Sequence, residues 1–351
     1  MKIAICDFRF HKGHRTFNGA VLEAVARLTE NNFIYFDNGD NYRDSSKYIK
    51  NCRLIKNRNL KKNNPLQNRI NSKKYMKEEY KILQAEKVDK ILCIAYDLLT
   101  FGLFGRKYLK KDIYLWHHAE SDELSSKLKN SIFRQYMNKV KHIVYTPFIK
   151  DFLISFGVEE DRVFVCPFVK TSYQSLAGNS DKNFYIAPSG SNDKQFCKAL
   201  VDYEKRTGFF INNNIRFLIK SFDSVFNDGY LTLYNRYLSF NEYDELYRKA
   251  AAVIIPFPKS FNMRESGTII DALSSGKRVI ASNIPTVRYY QYICSSIDSN
   301  VVSIFNNIEE FCNLLINDPN FDIKTNYAFS HLIENMHNTQ ALLTSLSNIM
   351  L

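Results

Sequence analysis

The sequence predicts an α/β protein with two doubly wound parallel sheets, each in its own domain. Short apolar runs rich in β-forming residues alternate with segments whose apolar residues recur at helical spacing. The alternation stops at a polar stretch without periodicity, residues 170–182, and then restarts, so this stretch is the predicted linker. The chain has 351 residues, more than one typical hydrophobic core accommodates, which favours two domains.

The first half opens with a strand, a glycine-containing loop and a helix. The run KILCIAYD does not alternate between apolar and polar residues, which predicts a strand that is buried on both faces. The predicted strands are KIAICDF, FIYFD, KILCIAYD, DIYLWHH, KHIVYTP and RVFVCPFV. The predicted helices are AVLEAVARL, KKYMKEEYKILQAEKV and FIKDFLISFG, the last of which ends at Gly157.

The second half repeats the pattern after the linker. Its predicted strands are NFYIAPSG, IRFLIKSF, YLTLYNRYL, AVIIPF, RVIAS and VVSIF, and its helices are DKQFCKALVDYEKR, NEYDELYRKA, TIIDALSSG and IEEFCNLLIN. Doubly wound sheets bind ligands beyond the carboxyl ends of their strands, so the loops that follow the strands are where a site is expected. Two such sheets joined by a linker are expected to face each other across a central cleft.

Composition narrows the protein class. The seven cysteines are scattered and form no C-x-x-C pair, which predicts reduced core thiols and neither a disulfide framework nor a zinc site. No run reaches eighteen apolar residues, and the amino terminus enters a strand without a signal-peptide pattern. A cytoplasmic protein is therefore expected, either free or peripheral on the inner face of the plasma membrane.

The net charge of +12 is unevenly distributed. Between Arg43 and Lys90 there are fifteen Lys or Arg residues against five Asp or Glu. Such a basic face favours anionic partners, which include nucleic acid, anionic lipid and phosphorylated substrates, although a merely solvated surface has the same composition. The sequence carries no recognisable nucleic-acid module, so nucleic acid is not the expected partner.

The stretch FNMRESGTIIDALSSGKRVIAS suggests an anion site at a helix start. Residues Ser266, Gly267 and Thr268 open the helix, where free backbone N–H groups and the positive end of the dipole attract phosphate. Gly267 lets a phosphate approach closely, and Arg264 adds a cation with forked donors. A diphosphate suits this set of donors.

Two acidic residues accompany this helix start. Asp271 lies about one turn into the helix, where a carboxylate accepts hydrogen bonds from a neutral diol such as ribose. Glu265 precedes the helix and is placed to reach another hydroxylated group. The alternative interpretation makes Glu265 an amino-terminal capping acid and Asp271 a solvated helix residue.

A second glycine loop, APSGSNDK, follows the first strand of the second half. Ser189, Gly190 and Ser191 offer amides and hydroxyls there, and Lys194 adds a cation. Lys220 is a further cation at the carboxyl end of RFLIK. The alternatives are an ordinary turn for the loop and a surface lysine for Lys220.

Histidines follow two strands of the first half. Because His117 and His118 are adjacent, their side chains point in different directions, and at most one is expected to face a ligand. The residues that the sequence places after these strands, at the mouth of the predicted cleft, are His11, Gly13, His14, His117, His118 and Glu120. Their spacing matches no common metal signature, so no metal is expected. The sequence also lacks G-x-S-x-G, a P-loop and a complete G-x-G-x-x-G.

Four stretches together resemble the retaining GT-B glycosyltransferases of the group-1, family 4-like type, which use nucleotide-sugar donors in bacterial polysaccharide assembly. The stretches are KHIVYTPFIKDFLISFGVEEDRVFVCPFV, RYLSFNEYDELYRKAAAVIIPF, ESGTIIDALSSGKRVIAS and NYAFSHLIENMHNTQALLTSL. The resemblance implies an acceptor-binding Rossmann-like domain over residues 1–170 and a nucleotide-sugar-binding one over 183–325. It implies that residues 326–351 form helices crossing back to the first domain.

The resemblance also implies roles for the donor-site residues. Asp271 occupies the place of the acid that binds the ribose, and Glu265 stands nearest the acid that contacts the donor sugar. Gly267 and Thr268 match the amides that hold the diphosphate, while the loop at Gly190 matches the family's phosphate loop.

In the first half, His117, with His118 as the alternate, matches a histidine near the donor sugar. Gly13, beside His14, matches the family's first glycine loop, in the cleft that takes the acceptor.

This sequence departs from the family pattern at two places. The family spacing of its two acids is E-x7-E, whereas Glu265 and Asp271 are separated by five residues. Asp is one methylene shorter than Glu, so a ribose contact requires a closer approach. The phosphate loop also has Ser191 where the family usually has Arg.

The function that the resemblance implies is retaining, metal-independent transfer of a hexose from a UDP- or GDP-linked donor, with no cofactor. The expected acceptor is a lipid-linked saccharide of cell-surface polysaccharide, capsule or lipopolysaccharide synthesis, and the basic first half is expected to meet anionic membrane. Two alternatives stay open: a non-catalytic partner subunit of the same fold, and a nucleotide-sugar epimerase on that fold.

Overall fold

The computed structural model describes residues 1–8, 15–30, 32–36, 65–169, 181–317 and 323–351. The chain divides into two compact units. The first unit contains Met1–Val169, Met263–Glu265 and His337–Leu351, and the second contains Lys170–Asn262 and Ser266–Met336. Each unit holds one sheet.

Thirteen strands lie in the described part of the chain. The strands of the first unit are β1 (Ile3–Asp7), β2 (Phe33–Tyr35), β3 (Lys90–Ala95), β4 (Asp112–Trp116), β5 (Lys141–Val144) and β6 (Val163–Val165). Those of the second unit are β7 (Asp181–Ala187), β8 (Arg216–Lys220), β9 (Phe226–Asn227), β10 (Leu231–Tyr234), β11 (Ala250–Ile255), β12 (Arg278–Ser282) and β13 (Val302–Phe305).

Helices lie between the strands along most of the chain and at its carboxyl end. Their bounds are α1 (Arg15–Leu28), α2 (Pro65–Ala85), α3 (Leu98–Phe104), α4 (Glu120–Glu123), α5 (Lys127–Arg134), α6 (Pro147–Phe156), α7 (Lys194–Thr207), α8 (Phe209–Asn212), α9 (Phe240–Lys249), α10 (Gly267–Ser274), α11 (Pro285–Cys294), α12 (Ile308–Ile316), α13 (Ile323–Met336) and α14 (Thr339–Met350). A 3-10 helix, Gly105–Lys110, follows α3.

The first sheet is parallel throughout, in the order β2-β1-β3-β4-β5-β6. Alternate residues of β1 pack into different cores: Ile3 and Ile5 on one face, Ala4 and Cys6 on the other. Because helices cover both faces, all five residues of β1 are buried, which explains the continuous apolar character of this strand.

The second sheet has the order β13-β12-β11-β7-β8-β10-β9. Its pairs are parallel except for the short edge strand β9, which runs antiparallel to β10. The predicted fold class of two parallel-sheet α/β domains is therefore confirmed, with an antiparallel edge that the sequence patterns did not indicate. The predicted strand YLTLYNRYL is also shorter, because only Leu231–Tyr234 pairs.

The last two helices belong to different units. Helix α13 packs on α10 in the second unit, where Ser330 Oγ donates to the Ser274 carbonyl at 2.6 Å. Helix α14 packs on α1 in the first unit, where Lys90 Nζ donates to the Met350 carbonyl at 2.5 Å.

Among the described residues, no helix is both long and apolar enough to cross a membrane. Six of the seven cysteines lie buried as free thiols, and Cys52 lies outside the described residues.

Candidate functional site

The start of α10 presents backbone N–H groups beyond the carboxyl end of β11. Ser266 caps this helix, because its Oγ accepts from the Ile269 N–H at 3.3 Å. The first N–H groups of a helix have no acceptor within it, so the amides of Gly267 and Thr268 face away from the helix. Both residues are half-buried, and a helix end of this kind binds anions.

Asp271 lies one turn further along α10, next to Tyr243 of α9. Burial first, and then the nearby Asp271 carboxylate, raise the pKa of Tyr243. The Tyr243 hydroxyl donates to the carbonyl of Pro188, the residue that follows β7, at 3.1 Å. Asp271 is half-buried, and its neighbour Tyr243 bonds to the start of the glycine loop. Asp271 therefore lies near that loop, as expected for loops at the carboxyl ends of strands in one sheet.

The glycine loop is closely packed and tied to two strands. A Cβ at Gly190 would lie 3.1 Å from the Phe222 ring, so a larger residue would require that ring to shift. Asn192 Nδ2 donates to the carbonyls of Ala187 at 2.9 Å and Lys220 at 3.0 Å, which joins the loop to the ends of β7 and β8.

Two residues of this loop, Ser191 and Lys194, are predicted to bind phosphate. The Ser191 N–H donates to Ser189 Oγ at 3.1 Å, and both residues lie toward solvent. Lys194 begins α7, and its exposed Nζ lies 2.6 Å from Asp223 Oδ2. An exposed pair of this kind is screened by water and contributes little to stability, so Lys194 can exchange its partner for a ligand.

Lys220 is the cation most enclosed at this edge. It ends β8 and is only 4% exposed. Its Nζ lies 4.2 Å from the ring centre of Tyr237 and 5.1 Å from that of Phe222. Among the described residues, no carboxylate lies within ion-pair distance of this ammonium, and burial lowers its pKa. An enclosed cation with only ring faces beside it is suited to bind an anion.

In the first unit, His117 is part of a buried chain of hydrogen bonds. His142 Nε2 donates to the Met137 carbonyl at 2.8 Å, so its Nδ1 accepts the proton of His117 Nε2, also at 2.8 Å. His117 Nδ1 then accepts from Ser121 Oγ at 3.4 Å. Burial and the neighbouring His142 hold the pKa of His117 well below its usual range, so the ring is neutral. It is 2% exposed.

His118 is the half-buried histidine of the pair. Its Nε2 donates to the Ile94 carbonyl at 2.7 Å, so its Nδ1 accepts from the Tyr145 hydroxyl at 2.7 Å. Burial, Glu120 and Glu265 together raise the pKa of Tyr145, which keeps its proton available for this bond. Glu120 Oε2 accepts from the His118 N–H at 2.7 Å and thereby fixes the turn after β4.

Glu265 and Arg264 belong to this first unit. Glu265 is buried, and its carboxylate is close enough to raise the pKa of Tyr145. The Arg264 guanidinium Nε donates to Asp122 Oδ2, and the Met263 N–H donates to Asp122 Oδ1. The arginine that sequence analysis assigned to a phosphate therefore has a carboxylate partner in this structure.

The predicted residues form two groups. Gly190, Ser191, Lys194, Lys220, Ser266, Gly267, Thr268 and Asp271 lie at the carboxyl edge of the second sheet. His117, His118, Glu120, Arg264 and Glu265 lie in the first unit. Gly13, His14 and His11 lie outside the described residues. Among the residues that the structure does describe, no group of three or more His, Cys, Asp or Glu is placed to hold a metal ion.

No protein-family model matches this sequence, and no curated protein matches it. Solved structures do match over almost the whole chain. Sucrose-phosphate synthase from Thermosynechococcus elongatus has a TM-score of 0.69 at 11% identity, covering 99% of this chain and 98% of its own. HepE from Anabaena, in complex with UDP, has a TM-score of 0.65 at 11% identity, covering 100% and 99%. A glycosyltransferase from Rickettsia africae has a TM-score of 0.61 at 14% identity, covering 99% and 97%.

The fold is GT-B. It agrees with the predicted pair of α/β domains, and it places the second-unit group at the strand ends where such sheets bind ligands.

Several contacts of this GT-B chain were not apparent from the sequence. Tyr145 and His142 come from β5 and the loop that follows it, and each bonds a histidine 25 or more residues away. Tyr243 and Tyr237 lie near Asp271 and Lys220, respectively. The position of Tyr145 directly after a parallel strand was the available signal for that residue.

Proposed function

We propose that this protein is a glycosyltransferase that takes its sugar from a nucleotide diphosphate donor. The observation that carries the proposal is Lys220. It is a buried cation at the carboxyl end of a strand, beside a glycine loop and on the same sheet edge as the open start of α10. A diphosphate gives this cation a partner and gives the helix amides an acceptor.

The proposed donor contacts combine roles that the resemblance implies with two lysines at the carboxyl ends of the strands. The amides of Gly267 and Thr268 hold the diphosphate together with Lys220, and Lys194 exchanges Asp223 for phosphate. Asp271 accepts hydrogen bonds from the ribose hydroxyls. Its electrostatic effect on Tyr243, whose hydroxyl donates to the Pro188 carbonyl, supports this role because it shows that the carboxylate lies near the glycine loop.

Glu265 and one histidine contact the donor sugar in this proposal. His118 is the better candidate, because it is less buried than His117, whose Nε2 proton is held by His142. The hydrogen bonds of His118 orient its ring, with Nε2 paired to the Ile94 carbonyl and Nδ1 to the Tyr145 hydroxyl. His117 then acts as the buried support behind the loop.

The chemistry proposed is transfer of a hexose with retention, without a metal ion. The bond between the sugar and the diphosphate breaks, and the charge that develops on the phosphate is stabilised by the helix amides and Lys220. Losing one preorganised donor of this type typically costs about 2.7–4 kcal/mol in the transition state. The acceptor hydroxyl oxygen forms the new bond to the sugar carbon, on the face that the diphosphate leaves, and the leaving phosphate takes the hydroxyl proton. The proposed acceptor is a lipid-linked saccharide of cell-surface polysaccharide synthesis, met at an anionic membrane.

A thermal-shift screen against UDP, GDP and their sugars tests the donor proposal. We expect one base to raise the melting temperature by several degrees and the other to have little effect. If no nucleotide stabilises the protein, the donor proposal is wrong. Turnover of the donor without any acceptor would favour the epimerase, and donor binding without turnover would favour a non-catalytic subunit.

Replacing Asp271 with Ala tests the ribose contact. Losing hydrogen bonds to a charged group costs roughly 1.5–3 kcal/mol, so we expect the dissociation constant for the donor to rise about 10- to 150-fold. Calorimetric titration measures it, with Asp271→Asn as the variant that keeps the shape of the side chain. Wild-type affinity in the Ala variant would refute the ribose role.

A further inference from the structure

Helix α2 exposes a stripe of side chains that changes character along its length. Leu66, Ile70, Lys73, Lys77 and Lys81 recur at intervals of three or four residues, and all five are exposed. The opposite face is buried and includes Met76 and Leu83. The exposed stripe is therefore apolar near the start of α2 and basic further on.

The end of α3 adds two more apolar side chains to this surface. Leu103 is 60% exposed and Phe104 is 41% exposed, while Leu66 and Ile70 are 66% and 41% exposed. Helices α2 and α3 pack together, and Lys73 Nζ lies 4.5 Å from the centre of the Phe104 ring. Four large apolar side chains on two packed helices are more than isolated surface residues, which are common in themselves.

The exposed charged residues of the same segment are mostly basic. Within residues 65–110, eight exposed Lys or Arg side chains stand against two exposed acids, Glu78 and Asp89. The basic residues are Lys73, Lys74, Lys77, Lys81, Lys87, Arg106, Lys107 and Lys110. Lys107 extends the basic surface from α2 to the 3-10 helix, because its Nζ lies 5.8 Å from the ring of Tyr80.

We infer that this part of the first unit has a docking surface for an anionic phospholipid bilayer. The surface consists of the apolar residues Leu66, Ile70, Leu103 and Phe104 and the eight exposed basic residues of the same segment. Exposed Leu and Phe side chains enter the boundary between headgroups and acyl chains, and the lysines remain at the level of the phosphates. Each lysine near an anionic surface adds to the attraction. We call these four apolar residues and the eight basic ones the α2–α3 face.

A bilayer fits the α2–α3 face better than nucleic acid does. Phosphate backbones attract the lysines but leave the four apolar side chains in water, whereas a bilayer accepts both kinds of side chain. The inference deepens the proposed function by naming the surface that meets the membrane, and it rests on that function for the presence of a membrane partner.

Vesicle sedimentation of the full chain tests the inference. Vesicles of phosphatidylcholine alone are compared with vesicles that contain about 30% phosphatidylglycerol, at low and high salt. We expect at least tenfold stronger partitioning onto the anionic vesicles at low salt, since salt screens the basic residues. Equal binding to both vesicle types, or none to either, overturns the inference.

Two double variants separate the contributions of the face. Leu103→Ser with Phe104→Ser should weaken binding at least fivefold at both salt concentrations. Lys73→Gln with Lys77→Gln should reduce the preference for anionic lipid and its dependence on salt. A face variant that binds vesicles like the wild type overturns the inference.

A matched control pair comes from the second unit. Ile211→Ser with Val225→Ser removes two apolar side chains there that are 53% and 76% exposed, and should leave vesicle binding within twofold of wild type. If this control loses as much binding as the α2–α3 variants, the surface is assigned wrongly. Preferential binding of a duplex nucleic acid that competes with the vesicles also overturns the assignment.

Nucleotide titration in the same variants keeps the two proposals distinguishable. Substitutions in the α2–α3 face should leave nucleoside diphosphate binding in solution unchanged. If the protein binds anionic vesicles but no nucleotide, the docking surface is supported and the donor proposal is wrong. If it binds nucleotide but no vesicles, the donor proposal is supported and the docking surface is wrong.

Discussion

Replacing Lys220 with Met should separate the binding role of this lysine from its role in stability. Met preserves most of the side-chain volume between the Tyr237 and Phe222 rings but removes the charge. A charge-assisted hydrogen bond contributes roughly 1.5–3 kcal/mol, so the dissociation constant for the nucleoside diphosphate should rise about 10- to 150-fold.

The effect of this substitution on stability should be small, because two contributions of opposite sign accompany the loss of the charge. Burial already disfavours the charged form of Lys220, and no carboxylate among the described residues offsets that cost. The cation–π contacts that Met loses are worth about 0.5–2 kcal/mol. These opposing contributions nearly cancel, so the unfolding free energy without ligand should change by about 1 kcal/mol or less.

The pH dependence of binding provides a second measure. Burial lowers the pKa of Lys220 in the free protein, and a bound anion favours its protonated form. Once the pH exceeds the pKa that Lys220 has in the free protein, anion binding is therefore accompanied by uptake of a proton. Diphosphate affinity should therefore fall as pH rises through that pKa. Lys220→Met should lose this dependence, whereas Lys220→Arg should stay charged, keep much of the affinity and show a flat profile.

Calorimetric titration with the diphosphate and with the uncharged nucleoside is the assay. Lys182→Met is the control, because Lys182 is an exposed lysine near the amino end of β7. It therefore lies at the opposite end of the strands from Lys220. The nucleoside should bind wild type and variant alike. A Lys220→Met protein that binds the diphosphate within twofold of wild type would refute the anion-binding assignment.

Two further predictions concern stability. The pKa of Lys277 is lowered to about 8 by burial and by Arg248, so between pH 8 and 10.5 only the unfolded chain keeps this proton, and unfolding free energy should rise with pH by up to about 1.4 kcal/mol per unit. Urea denaturation across that range should show the slope in wild type and lose it in Lys277→Met. Gly102→Ala should cost about 1–3 kcal/mol, because the new Cβ would overlap the Ile132 side chain. The cost should shrink in an Ile132→Ala background, and an equal cost in both backgrounds would contradict the packing argument.

The fold was predictable because both sheets are covered on their two faces, which leaves each strand as a short apolar run between helical patterns. Helix α3 was missed for the same physical reason. Its sequence LLTFGLF is nearly all apolar over seven residues, so it shows no helical period that could be told from a buried strand or loop. Helix α2 also begins at Pro65, eight residues before the predicted pattern KKYM.

The candidate site was only partly predictable. The rule that ligands bind beyond strand ends located Gly190, Lys220 and Gly267, since each follows or ends a strand in the sequence itself. Contacts between strands depend on register, which a single sequence does not give. His142 pairs in register with Leu115, two residues before His117, and this places the two imidazoles within hydrogen-bond distance.

The two buried lysines of the second unit show why burial alone does not identify a binding residue. Lys277 Nζ donates to the carbonyls of Ala250 at 2.9 Å and Arg248 at 3.2 Å, at the carboxyl end of α9, where a cation offsets the helix dipole. Its N–H donors therefore have backbone acceptors within the fold. Lys220 is as enclosed as Lys277 but has ring faces in place of carbonyls. The Lys277 ammonium has two carbonyl acceptors, whereas the Lys220 ammonium has ring faces beside it, which is why the nucleotide proposal rests on Lys220.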